Sequence, residues 1–180
     1  LYEYFKYEKH KSLVQLLSIL ISPLGLIGYM IYNLQKWGNP FYFIEVQGNL
    51  QNNRTVDFIV FPIQTVFRYF KILFSVSPTI YEWWVAFFEL SFFIFAIIIL
   101  FIGLKKKIRL SYLLFGALCL LIPSLTGTFS GIPRYVLVIF PIFITLALIR
   151  NKPLKITYAV ISVALLFIFF MLFSKGYFIA

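Results

Sequence analysis

The sequence predicts an all-α, polytopic bundle of membrane helices, and three observations carry that expectation. Of 180 residues, 62% are hydrophobic and only 12% charged, with a mean hydropathy of +0.93, far from the balance of an ordinary soluble domain. The apolar residues come in runs of about 20, enough to cross a hydrocarbon core about 30 Å thick as helices. Lys and Arg outnumber Asp and Glu by 16 to 6, and they cluster beside those runs instead of forming an interleaved basic surface. That placement marks topology, so no nucleic-acid partner is expected. The single cysteine, Cys119, lies inside an apolar run, which leaves no intrachain disulfide and no cysteine metal cluster to build. The chain opens at Leu1 with neither a methionine nor a signal-peptide pattern, which suggests the C-terminal part of a longer protein.

The elements follow in order. Lys6, Lys9, His10 and Lys11 form a charged flank expected in the cytoplasm. An apolar run from about Leu13 to Tyr32 follows, interrupted by Ser22, Pro23 and Gly25, where a kink is expected. Asn33 to Ile80 reads as an external loop with interfacial helices. Within it, Trp37-Gly38-Asn39-Pro40 predicts a turn, with Asn39 as N-cap and Pro40 opening a short helix through Val46. From Pro62 to Ser75, the apolar residues Ile63, Val66, Phe67, Phe70, Leu73 and Phe74 recur at helical spacing, with Gln64, Arg68 and Lys71 opposite. This pattern predicts an amphipathic helix lying in the interface.

Tyr81, Trp83 and Trp84 make an aromatic belt before the run Val85 to Leu104, which ends in Lys105-Lys106-Lys107-Ile108-Arg109. Those four cations place that end in the cytoplasm. Leu110 to Thr126 is expected to return outward, Arg134 to Ile149 inward, and Leu154 to Phe173 outward again, with Arg150, Lys152 and Lys155 at the second cytoplasmic turn. About five spans put every basic cluster on one side. Glu89 falls inside a span and should face other helices or the external cavity, because a carboxylate exposed to lipid is costly.

The candidate chemistry centres on Gly127 to Pro141. Pro133 suits the first turn of a helix, which sets Arg134 among backbone donors at a positive helix end, an arrangement fit for a phosphate. The competing reading takes Arg134 and Tyr135 as interfacial anchors. Glu45, Asp57 and Glu82 are the acids expected outside, each a general base only if a substrate hydroxyl comes near. Taken singly, each reads more readily as a solvated loop charge. A phosphate loop, a metal-ligand cluster and a serine nucleophile motif are all missing from the sequence.

Ser22-Pro23-Leu24-Gly25-Leu26, then Trp37-Gly38-Asn39-Pro40 with Phe43 to Gln47, then Ser130-Gly131-Ile132-Pro133-Arg134-Tyr135 with Phe140-Pro141, together resemble the C-terminal half of PIG-V-type mannosyltransferases, relatives of GPI mannosyltransferase II. Asn39 stands where that pattern usually has Asp, and Leu50 lies where a Trp is expected. The resemblance implies a multi-pass, GT-C-like glycosyltransferase acting outside the cytoplasm. It would move mannose from a polyprenyl-phosphate sugar to a lipid-linked or glycan acceptor, as in GPI anchor biosynthesis, without a metal or other cofactor. It also implies that Arg134 binds the donor phosphate, that Tyr135 and Ser130 support it, and that Gln47 and Glu45 line the sugar or acceptor side. The catalytic base is expected upstream of Leu1, so this stretch alone is expected to be inactive. A bacterial plasma membrane is favoured over the endoplasmic reticulum. The alternative is a transporter or lipid flippase in which Arg134 recognises an anionic headgroup.

Overall fold

The computed structural model describes residues 5–6, 12–49 and 59–177, and every ordered element among them is a helix. The chain divides into two compact units, residues 1–58 and 59–180.

The first unit is a broken helix followed by a short one. Helix α1 spans Leu13–Ile21, capped by Ser12, whose hydroxyl accepts from the Val14 amide. Helix α2 spans Leu24–Trp37. The break falls at Ser22-Pro23, as expected, because a proline lacks the amide the helix needs and crowds the preceding turn. Helix α2 runs five residues beyond Tyr32, where the external loop was expected to begin. It stops at Gly38, whose φ of 74° is the left-handed cap that returns an amide to the Leu34 carbonyl. The Asn39 side-chain oxygen then accepts from the Phe41 amide, and α3 (Tyr42–Asn49) follows. The Trp37 and Tyr42 rings stack at 4.7 Å across this turn, and Tyr29 meets Phe43 at 5.7 Å.

The second unit is the bundle proper. Helix α4 is Pro62–Ser75, α5 is Tyr81–Lys105, α6 is Leu110–Ser124, α7 is Ile132–Val138, α8 is Phe140–Ala147 and α9 is Lys152–Ser174. Helix α5 is the axis, packed against α4, α6, α7 and α8. The corner between α4 and α5 is tied by two indoles, with Trp83 donating to the Leu73 carbonyl and Trp84 to the Pro78 carbonyl. Helix α9 buries none of its residues and meets α5 through ring contacts, Phe169 on Phe88 and Phe92 and Tyr158 on Phe95.

Among the described residues, three segments are long and apolar enough to cross a membrane: Leu17–Trp37, Tyr81–Lys105 and Lys152–Ser174. They make this a membrane-embedded helical protein. Helix α6 is apolar but has 15 residues, about 22 Å at 1.5 Å per residue, short of a core about 30 Å thick. The return run that begins at Arg134 is not continuous. A proline within an apolar run ordinarily kinks the helix from within. Instead Ile139 leaves helical geometry at φ −78° and ψ 77°, and Pro141 sits in the first turn of a new helix. Ile139 is fully buried.

Two glycines let these helices approach. A methyl group on Gly116 would lie 2.9 Å from both Ile139 Cγ2 and Leu100 Cδ2, and one on Gly103 would lie 2.9 Å from Leu113 Cδ2 and Thr145 Oγ1. In lipid, where burial of apolar surface no longer drives helices together, close approach at small residues is what holds such a bundle.

Helix α4 forms over the expected residues, with much of its apolar stripe turned away from the bundle. Ile63, Phe67 and Phe74 are 82%, 71% and 87% exposed, while Thr65 and Tyr69 are buried. Only Val66, Ile72 and Leu73 of its apolar residues pack against the core. The helix turns its hydroxyl groups inward because the loop after α6 presents unpaired backbone groups there, and these outweigh the apolar period.

Candidate functional site

The loop from Ser124 to Gly131, which delivers Arg134, is held almost entirely by α4 and α5. The Thr65 hydroxyl donates to the Ser124 carbonyl at 3.1 Å, and the Arg68 guanidinium donates to the Gly127 carbonyl at 3.3 Å. The Val60 amide, just before α4, donates to the Leu125 carbonyl. Thr65, Arg68 and Tyr69 share one side of a helix by their spacing of three and four. One face of α4 therefore substitutes for the strand or helix partner that the loop lacks.

Tyr69 is the centre of this arrangement. Its hydroxyl donates to Glu89 Oε2 at 2.5 Å, accepts from the Phe129 amide at 2.9 Å, and lies 3.1 Å from Thr128 Oγ1. A phenol has a single proton. With that proton directed to Glu89, the Thr128 hydroxyl must donate to Tyr69, and Thr128 Oγ1 in turn accepts from the Ser130 amide. The result is a directed chain, Ser130 N–H to Thr128 to Tyr69 to Glu89, polarised toward the carboxylate. Burial first, and then the Glu89 charge, push the Tyr69 phenol far above its ordinary value. It therefore remains a donor at any physiological pH. Phe129 completes the anchor: it is fully buried, stacked on Phe93 at 4.2 Å and tilted against Tyr69 at 4.8 Å.

Of the expected site residues, this turn brings three together. Arg134 and Tyr135 are exposed at its rim, whereas Ser130 is buried inside the loop at 9% exposure. Ser130 thus supports the turn and does not face outward beside Arg134. Gly131 has φ +82°, and a methyl there would lie 3.0 Å from Arg134 Nη2 and 3.6 Å from Tyr135 Cε2. The guanidinium therefore folds back over a residue that has no side chain to obstruct it.

The expected cluster of free backbone donors is not present. The Arg134 and Tyr135 amides both donate to the Gly131 carbonyl, and the Ile132 amide donates to that of Phe129. Helix α7 also has only seven residues, too few for a sizeable dipole. An anion at this turn would meet the Arg134 side chain and not a helix end.

The remaining expected residues lie elsewhere. Glu45 accepts from the Asn39 side chain at 2.5 Å within the first unit, so its carboxylate closes the turn before α3. Gln47 belongs to α3, and its side chain lies outside the described residues, as does Asp57. Glu82 is exposed in the first turn of α5. Sequence reasoning missed Tyr69, Thr128 and Phe129. The available signal was a Thr-Tyr pair spaced by four on a supposedly apolar helix, with Glu89 in the following span.

Gly131→Ala should lower stability by about 1–2 kcal/mol, because a Cβ in left-handed geometry is strained. It should also displace the guanidinium. A thermal melt in detergent would reveal it, and Gly25→Ala in α2, where a methyl meets nothing within 4 Å, should leave the midpoint unchanged or slightly raised.

No family model, curated protein or solved structure matches the chain.

Proposed function

We propose that this chain is part of a membrane-embedded glycosyltransferase that moves a sugar, mannose by its resemblance to PIG-V-type enzymes, from a polyprenyl-phosphate donor to a lipid-linked or glycan acceptor. The observation that carries this reading is Arg134, exposed on a turn whose other groups are internally satisfied. A guanidinium held in this way can bind a phosphate in two-point fashion and stabilise the charge that develops as the phosphate departs. Tyr135 flanks the phosphate and Ser130 stiffens the turn.

Two further features support a lipid-linked substrate. An apolar furrow of about 390 Å³ runs between α5 and α6 from Leu104 to Ser124 and Pro62, ending on the loop that carries Arg134. The exposed stripe of Ile63, Phe67 and Phe74 on α4 suits a helix lying in the interface. In this reading α6 and the α7–α8 pair complete five GT-C-like crossings, with the basic turns cytoplasmic.

Arg134→Lys in the full-length protein tests the proposal. Lysine keeps the charge but loses the planar fork, so transfer from polyprenyl-phosphate mannose should fall at least about tenfold, the equivalent of one charge-assisted hydrogen bond of about 1.5–3 kcal/mol. Unaltered transfer removes Arg134 from the site.

The breaks at Ser22-Pro23 and Ile139 favour a second reading. Discontinuous helices at ligand sites are a transporter device. Movement of an anionic lipid between leaflets of reconstituted vesicles, with no sugar transfer by the same preparation, would select it.

A further inference from the structure

The two basic turns meet at one end of the bundle although about 40 residues separate them in sequence. Gly103 and Thr145 approach within 2.9 Å when a methyl is placed on the glycine, so the Lys105–Arg109 turn and the Arg150–Lys155 turn lie side by side. Among the described residues of this unit the carboxylates are Glu82 and Glu89, both in the half of α5 remote from Lys105. This end is therefore cationic with no local compensation. Topology requires only that the cations be present, not that they surround a cavity.

A cavity does lie among them. The corner between α8 and α9 encloses about 210 Å³, lined by Leu146, Ala147, Ile149, Leu154, Lys155 and Tyr158. Its lining side chains are apolar apart from the Tyr158 hydroxyl and the Lys155 ammonium, and the ammonium is fixed: Lys155 Nζ donates to the Ala147 carbonyl at 2.9 Å. Arg150 and Lys152 are exposed at the same corner. An apolar recess lined by one cation, with two more exposed in the turn that flanks it, has the two-part chemistry of an anionic glycerophospholipid, a phosphate outside and acyl chain within.

We infer that the α8–α9 corner is a binding site for an anionic phospholipid of the leaflet it meets. The phosphate is held by Arg150, Lys152 and Lys155, and the start of an acyl chain lies against Leu146, Leu154 and Tyr158. The site is at the opposite end of the bundle from Arg134 and is independent of the reading given to that residue. Charge selects the lipid. Each cation near an anionic surface contributes on the order of a fivefold gain in affinity, weakening as salt is raised.

The full-length protein in nanodiscs supplies the test, with phosphatidylcholine alone compared with phosphatidylcholine plus phosphatidylglycerol, and retained lipid counted by native mass spectrometry. Wild type should retain phosphatidylglycerol selectively. Arg150→Gln/Lys152→Gln/Lys155→Gln should lose that selectivity by about fivefold per cation removed, whereas Lys175→Gln at the far end of α9 should not. Ala147→Phe, which fills the recess and leaves every charge, should also reduce retention. Lys152→Arg/Lys155→Arg should keep it and guards against a misfolded triple variant. Equal retention of both lipids by wild type, or an unchanged triple variant, overturns the inference. Displacement of phosphatidylglycerol by inorganic phosphate also overturns it, because the site would then hold a free anion.

Discussion

Tyr69→Phe is expected to lower stability by about 2–4 kcal/mol, the largest effect of any single-atom change in the bundle. The missing oxygen is the acceptor of the Phe129 amide and the donor to Glu89. Its loss strands a buried amide and withdraws a hydrogen bond from a buried carboxylate, each worth about 1–3 kcal/mol when left unsatisfied. No compensating contact is gained, since the ring itself stays between Phe129 and its neighbours. A detergent melt should show the loss. The double variant Tyr69→Phe/Glu89→Leu should recover part of it, because exchanging both members of a buried polar pair for apolar groups costs less than removing one. No recovery would mean that Glu89 has a role apart from Tyr69. Since the same hydroxyl holds the loop leading to Arg134, the proposed function predicts that sugar transfer falls with stability.

Gly116→Leu should be of similar size for the opposite reason. The first added carbon already meets Ile139 and Leu100 at 2.9 Å, closer than side chains tolerate. The remaining three carbons must then displace the break between α7 and α8. Overpacking of this kind costs about 1–3 kcal/mol, and more where backbone must move. Gly28→Ala, at a position with nothing within 4 Å, is the matched control and should be neutral to slightly stabilising. Equal midpoints for wild type and Gly116→Leu would show that α6 does not approach Ile139 as closely as the packing requires.

Much of this architecture is legible along the chain. Three spans among the described residues announce themselves by length and hydropathy, the α1–α2 break by Ser22-Pro23, the turn after α2 by Gly38, although the helix runs five residues past Tyr32 to reach it, and α4 by a proline start and a 3.6-residue period. All of these are local properties: a missing amide, a glycine free to adopt positive φ, a run of apolar side chains. The Ile139 break was harder to place. Pro141 signals a disturbance, but whether the helix bends or restarts depends on whether a neighbouring surface can receive the residue pushed out, and here Gly116 makes that space.

The site divides in the same way. Arg134 stands out in the sequence because a cation next to Gly-Ile-Pro in an apolar chain is conspicuous. That its backbone donors are spent on Gly131, that Ser130 is buried, and that the loop depends on Tyr69 became visible only in three dimensions. The polar contacts that hold the loop join residues about 60 positions apart, and periodicity carries no information about pairing at that range.

By itself, the sequence determined that this is a helical membrane protein, where its apolar runs lie and which loops are basic, because the length and solvent preference of each segment are set by its own side chains. The tertiary structure alone decided which way α4 faces, where the returning helix breaks, and which hydroxyl and carboxylate bind the Arg134 loop. Those outcomes follow from satisfying buried polar groups and fitting helices at close range, and both depend on partners that the chain brings together only on folding.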